Sequence, residues 1–275
     1  MKGFEPLTVR LEGGCSIRLS YMDSNSILTF LLMKFNCVLK KNYNNLMKTT
    51  ETLLVHNRKI HLYYPCKGCY QAIFLPAEDS DGSAIYQECM ENTEKDFVLI
   101  AVCDVSWNAD LSPWKADAIF KKTEPFLGNG DQYLKEIEEI LLPQIMQHLK
   151  EKEIEILSLS IAGYSLAGLF SLYACIHSSL FVSVASVSGS LWYPGFEEYL
   201  QKHPLSDSIE NVYLSLGNKE ADTRNAVMSS VKEKTIAIME SLSQYKKVFY
   251  EENEGSHFHE PEMRMAKAIT YLLYQ

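Results

Sequence analysis

Six residues, Gly163-Tyr164-Ser165-Leu166-Ala167-Gly168, limit what this chain can fold into more than any other stretch. Before them, Ile154 to Ala162 alternates and is rich in β-branched and apolar side chains, which predicts a buried strand. After them, Leu169 to Ile176 is apolar with no breaker, which predicts a buried helix. A serine between small residues on a sharp strand-to-helix turn is the pattern of a nucleophile elbow. The turn strains the serine backbone, so the residues two before and two after it must be small. Gly163 and Ala167 meet that demand, although Ala167 stands where the pattern usually has a second glycine. The start of the helix would set the Leu166 amide beside the serine oxygen, where it can stabilise an oxyanion. The plainer alternative is an ordinary β–α turn whose small residues only let helix and strand approach.

Length and composition leave room for such a fold. The chain has 275 residues, enough for one large α/β domain or two small ones, and 47% are hydrophobic against 22% charged. The formal charge of −9 argues against nucleic acid or an anionic membrane surface as the main partner. No apolar run reaches the length of a membrane span, and the start, Met1 to Pro6, does not read as a secretory signal. Seven cysteines, an odd number with scattered spacing, fit reduced thiols and a cytoplasmic location. Cys66-Lys67-Gly68-Cys69 has no second pair to complete a zinc site, and it follows Pro65 between two strand-like runs, so it reads as a hairpin loop.

Residues 1–46 have no clear period and are taken as an N-terminal extension of uncertain structure: an appendage or an upstream-extended reading frame. Within them, Leu7 to Leu11 and Ser16 to Tyr21 could form a hairpin around Gly13-Gly14. A functional domain is expected over 47–275. There strands and helices alternate, which predicts a mostly parallel central sheet with helices on both faces. The expected strands include Tyr70 to Leu75, Phe97 to Val102, Phe181 to Val187, Asn211 to Leu216 and Lys247 to Tyr250. A loop from Cys103 to Asn129 is long enough to suggest a functional role, and Gly130 to Lys150 has helical spacing despite Pro143.

A serine alcohol needs a general base, and the base benefits from an acid that orients it. In an α/β-hydrolase the order along the chain is serine, acid, histidine, each after a strand. Of the histidines beyond Ser165, His177 belongs to the elbow helix and His203 to a surface loop. His257 and His259 directly follow the last strand, and Gly255 permits a tight turn there, which favours His257 and leaves His259 as the alternate. After the preceding strand, Glu220 and Asp222 both qualify as the acid, Glu220 being nearer the usual position. A second oxyanion donor should come from the loop after Tyr70 to Leu75. Pro76 has no N–H, so Ala77 or Glu78 would supply it. Trp107, Trp114 and Trp192 lie on loops that could wall a substrate pocket, or they could be core packing.

With these residues in place, the chain resembles the α/β-hydrolase superfamily. More closely it is similar to the esterase group that includes esterase D and the enterochelin (ferric siderophore) esterases. The likeness rests on Trp107 to Trp114 with Phe126-Leu127-Gly128 and Tyr133-Leu134; on Gly163 to Gly168; on Ala185 to Trp192; and on Gly217 to Asn225 with Gly255 to Arg264. The resemblance implies a carboxylic-ester hydrolase working through an acyl-enzyme. It implies Ser165 as nucleophile, His257 as base and Glu220 as third member, with no metal or other cofactor. The expected partner is a small-molecule ester, with no nucleic acid and no membrane; a homodimer is an open assembly. An acyltransferase or thioesterase on the same fold, or a non-catalytic binding protein on a hydrolase scaffold, are the competing readings.

Overall fold

The computed structural model describes residues 8–10, 16–18, 49–77, 80–119 and 123–275. The chain divides into two compact units, Met1–Lys48 and Thr49–Gln275. In the first, Thr8–Arg10 (β1) pairs antiparallel with Ser16–Arg18 (β2), Val9 opposite Ile17. The expected Gly13-Gly14 turn lies outside the described residues.

The second unit opens with a hairpin, Thr49–Val55 (β3) and Arg58–Tyr64 (β4). His56 and Asn57 join them with φ of 50° and 64°. Two successive positive φ values give a two-residue turn whose twist suits antiparallel strands. Gly68–Pro76 (β5) and Val98–Val102 (β6) follow, with Ser83–Asn92 (α1) between them. Every residue of β6 is buried, as a strand covered on both faces requires. The loop expected over Cys103 to Asn129 has structure of its own. It holds a single helical turn, Trp107–Asp110 (α2), and two short strands, Lys115–Ala116 (β7) and Phe126–Leu127 (β8), paired antiparallel.

The helix expected over Gly130 to Lys150 comes in three parts: Gly130–Glu136 (α3), a π-helical turn at Ile137–Leu141, and Leu142–Glu151 (α4). Pro143 sits in the first turn of α4, where its missing N–H matters least. The wider turn just before it takes up the register that a proline would break in a straight helix. Ile154–Tyr164 (β9) leads through Ser165 into Leu166–His177 (α5). The chain ends with Ser183–Val187 (β10), Phe196–Lys202 (α6), Asn211–Gly217 (β11), Val231–Leu242 (α7), Lys247–Asn253 (β12) and Pro261–Leu273 (α8).

Eight strands form one sheet in the order β12-β11-β10-β9-β5-β6-β4-β3. From β12 to β6 all neighbours are parallel; β4 and β3 add an antiparallel edge. One apolar layer joins α1 and α8 to the sheet through Tyr86, Phe97, Met265 and Ile269. The opposite layer buries α3, α4, α5 and α7 through Tyr133, Ile145, Phe170 and Ile238. Helices therefore cover both faces. The chain returns from β6 across β5 to β9, so the strand order reverses there. In open α/β sheets the crevice beyond the strand C-termini at such a point is where ligands bind.

The stretch around Cys66 departs from the sequence reading. β4 and β5 are separated by β6 in the sheet, so Cys66 lies in a connection between non-neighbouring strands rather than in a hairpin loop, and Cys69 belongs to β5. Both thiols are free and exposed.

Candidate active site

Ser165 is the residue between β9 and α5, with φ 57° and ψ −122°. For a residue with a Cβ this is a strained conformation, costing on the order of 1–3 kcal/mol and held by its surroundings. Two backbone bonds hold it: the Ser165 amide donates to the Val187 carbonyl at 3.0 Å, and the Ser190 amide donates to the Ser165 carbonyl at 2.9 Å. Gly163 makes the turn sterically possible, because a Cβ there would lie 2.2 Å from the Ala167 carbonyl oxygen. Leu166 opens α5, so its N–H is among those with no acceptor inside the helix.

His257 lies on the loop between β12 and α8. Gly255, at φ 94°, makes the bend before it, and a Cβ there would press to 2.6 Å from the His259 ring. His257 Nε2 lies 3.0 Å from Ser165 Oγ, and its Nδ1 lies 2.7 Å from Glu220 Oε2. Glu220 follows β11 and is 9% exposed. The structure thus joins three residues from three separate loops in one hydrogen-bonded line. Burial pushes the Glu220 carboxyl up. The hydrogen bond to His257 and the imidazole charge, with the Ser188 hydroxyl and the Gly217 amide, outweigh it and leave the carboxyl below its ordinary range. Glu220 is therefore ionised at neutral pH, the state in which it can orient an Nδ1–H donor.

The two alternates stand apart from this line. Asp222 is exposed, and His259 Nδ1 faces Glu260 Oε2 at 3.7 Å. His177 contacts the Tyr199 hydroxyl at 3.0 Å, and His203 the Tyr199 carbonyl at 2.9 Å.

Three expectations need correction or fall outside the described residues. The Ala77 amide donates to the Val102 carbonyl at 2.8 Å, continuing the β5–β6 ladder, so the sheet already uses this expected oxyanion donor. Glu78 lies outside the described residues. Trp114 does not wall the cleft: its indole N–H donates to the Pro194 carbonyl at 3.0 Å, and its ring packs on Tyr193 and Tyr199 with centroids 5.9 and 5.0 Å away. It is packing, the other alternative that its position allowed.

A cleft of about 460 Å³ opens over Ser165 and His257. Trp107, Phe126 and Trp192 line it, with Phe258, 87% exposed, at its rim. The two tryptophan positions predict a contrast. Trp107→Ala should raise KM for an aromatic ester about tenfold, the loss of one apolar wall. Trp114→Ala should leave KM unchanged and lower stability by about 3 kcal/mol. Steady-state kinetics and denaturant unfolding of both variants check this.

Sequence reasoning missed the groups behind the line. Ser188 Oγ donates to Glu220 Oε1 at 2.7 Å, Arg264 Nη1 to the same oxygen at 2.9 Å, and Ser190 Oγ lies 3.4 Å from Ser165 Oγ. Arg264 carries little signal in the sequence: it is one of three charged residues of α8, with Glu262 and Lys267. Among the described residues no group of three or more His, Cys, Asp or Glu could hold a metal ion, and no helix is long and apolar enough to cross a membrane.

A Bacillus subtilis (strain 168) relative, the uncharacterized protein YbbA, is 27% identical over 202 residues, 68% of this chain and 79% of that protein. The fold is shared with an IroE-like serine hydrolase from Shewanella oneidensis at TM-score 0.65 and 17% identity, covering 82% of this chain and 80% of that one. It is shared too with the siderophore hydrolase EstA from Aspergillus nidulans at TM-score 0.61 and 18% identity, covering 82% and 94%. The family model described as "Putative esterase" matches residues 51–260. The strained serine turn, the order of strands and this match over most of the chain lead to one conclusion: the chain belongs to that esterase family, carboxylic-ester hydrolases with the α/β-hydrolase fold.

Proposed function

We propose that the chain cleaves small-molecule carboxylic esters through an acyl-enzyme on Ser165. The observation that carries this reading is the unbroken Glu220–His257–Ser165 line at 2.7 and 3.0 Å, ending on the strained turn. His257 Nε2 takes the Ser165 proton as Oγ attacks the ester carbonyl carbon. The Leu166 amide, on the positive end of α5, donates to the oxyanion that forms. Glu220 holds the Nδ1–H and stabilises the imidazolium. The imidazolium then protonates the leaving alcohol, and the acyl group stays on Ser165. A water gives its proton to Nε2, attacks the acyl carbon, and the acid leaves as Ser165 recovers its proton. The aromatic walls of the cleft suit an ester with a flat apolar portion, and the siderophore hydrolase among its structural neighbours makes siderophore esters a natural part of a substrate panel. The odd number and scattered spacing of the seven cysteines support a cytoplasmic location.

The test is hydrolysis of a short-chain p-nitrophenyl ester by the native chain and by Ser165→Ala. The expected result is a loss of about 10⁴-fold or more in kcat, with the fold retained by circular dichroism. Equal rates in both proteins would remove Ser165 from the chemistry.

A further inference from the structure

Arg264 is 2% exposed, one of the largest side chains fully enclosed in the molecule. Its guanidinium reaches both loops that carry the acid and the base. Nη1 donates to Glu220 Oε1 at 2.9 Å, to Ser188 Oγ at 3.1 Å and to Tyr164 Oη at 3.4 Å. Nη2 donates to the carbonyl oxygens of Glu254 at 2.7 Å and Ser256 at 3.0 Å, the residues leading into His257. Tyr164, next to Ser165, donates its hydroxyl to the His257 carbonyl at 2.5 Å. The planar fork of one arginine therefore ties the acid loop, the histidine loop and the residue beside the serine together.

Stability alone is a weak reason for such an ion pair. Desolvating two charges offsets most of their attraction, and apolar residues of similar volume often do as well. What the pair adds is direction. With Gly217 and Ser188, Arg264 saturates Glu220 Oε1, so that only Oε2 faces His257. On the reading that Glu220, His257 and Ser165 act together, we infer that Arg264 is a positioning residue, a clamp that fixes the acid and the base loop in register. An arginine suits this role better than a lysine, whose ammonium cannot span a carboxylate and two carbonyls in one plane.

The clamp has a second consequence. The fixed positive charge of Arg264, 2.9 Å from the carboxylate that holds His257, opposes the gain of a further positive charge there. Tyr164 faces His257 from β9, and Glu254, His259 and Glu260 lie on its own loop. Without the guanidinium the acid limb of the rate profile should move up.

The experiment measures kcat across pH on p-nitrophenyl acetate for Arg264→Lys, Arg264→Met, Glu220→Gln and the double variant Glu220→Gln/Arg264→Met. Folding is checked by circular dichroism and melting, and Ser165→Ala is run alongside. Arg264→Met should lose about 100-fold in kcat, as small displacements of reacting groups do. Its acid limb should move up by roughly one pH unit. Arg264→Lys, which keeps the charge, should hold the wild-type acid limb and lose about tenfold through poorer geometry. In the Glu220→Gln background, Arg264→Met should change kcat by less than about threefold, because its target is already altered. Should Arg264→Met not fold, Arg264→Lys and the double variant, which removes both buried charges, still decide. Wild-type rate and acid limb in the Arg264 variants, or losses that add fully to that of Glu220→Gln, would overturn the clamp while leaving the esterase reading intact. Activity that survives Ser165→Ala would overturn both.

Discussion

His257→Ala is expected to lower kcat for ester hydrolysis by about 10⁴- to 10⁶-fold while the protein stays folded. Among the described residues, His257 is the side chain that the structure sets between Ser165 and Glu220, with contacts of 3.0 and 2.7 Å. Without it Ser165 loses the base that takes its proton, and a neutral alcohol is a weak nucleophile. The neighbouring His259 is not a substitute, since it faces Glu260 and is exposed. The check is kcat for His257→Ala and His259→Ala on the same ester, with circular dichroism on both. The second variant should stay within about threefold of wild type, as an exposed loop residue away from the chemistry should. A large loss in His259→Ala with little in His257→Ala would reverse the assignment.

The second large effect concerns the turn rather than the chemistry. Gly163→Ala adds one methyl group, but that methyl would lie 2.2 Å from the Ala167 carbonyl oxygen and 2.8 Å from the Gly168 amide nitrogen. Neither is the end of a flexible side chain. β9 and the first turn of α5 must therefore separate, and overpacking of this kind costs about 3 kcal/mol. Ser165 moves with the backbone. A displacement near 1 Å should reduce kcat by about 100-fold even in the fraction that folds. Denaturant unfolding gives the first number, and kcat per folded molecule gives the second. Wild-type stability in Gly163→Ala would mean that the turn is looser than its geometry implies.

The sequence was most legible where one local rule acts alone. The strand, Gly163-Tyr164-Ser165-Leu166-Ala167-Gly168 and the helix could be read together because steric demand at the turn leaves few residue types. The order of serine, acid and histidine picked out Ser165, Glu220 and His257 because each follows a parallel strand whose pattern is strong. Cys66 was misread because two adjacent strand-like runs look the same whether they pair with each other or admit β6 between them. Strand order is set by long-range packing, which the local pattern does not carry. Ala77 was misread for a related reason: the length of the β5–β6 ladder decides whether its amide is free, and the ladder runs one bond beyond the expected strand end. Trp114 had no local signal that could distinguish wall from core. Arg264 was invisible as a partner, since its five acceptors come from four places in the chain and meet only after folding. The division of the Gly130 to Lys150 helix follows from Pro143, but where the wider turn falls depends on which side chains must reach the core.

The most direct test of the account is covalent labelling with a small fluorophosphonate, followed by intact-mass measurement and peptide mapping. A single adduct on the peptide carrying Ser165, formed by the native chain, abolished in Ser165→Ala and strongly slowed in His257→Ala, is the predicted result. An adduct on another residue, or none from a chain that still hydrolyses esters, would contradict it.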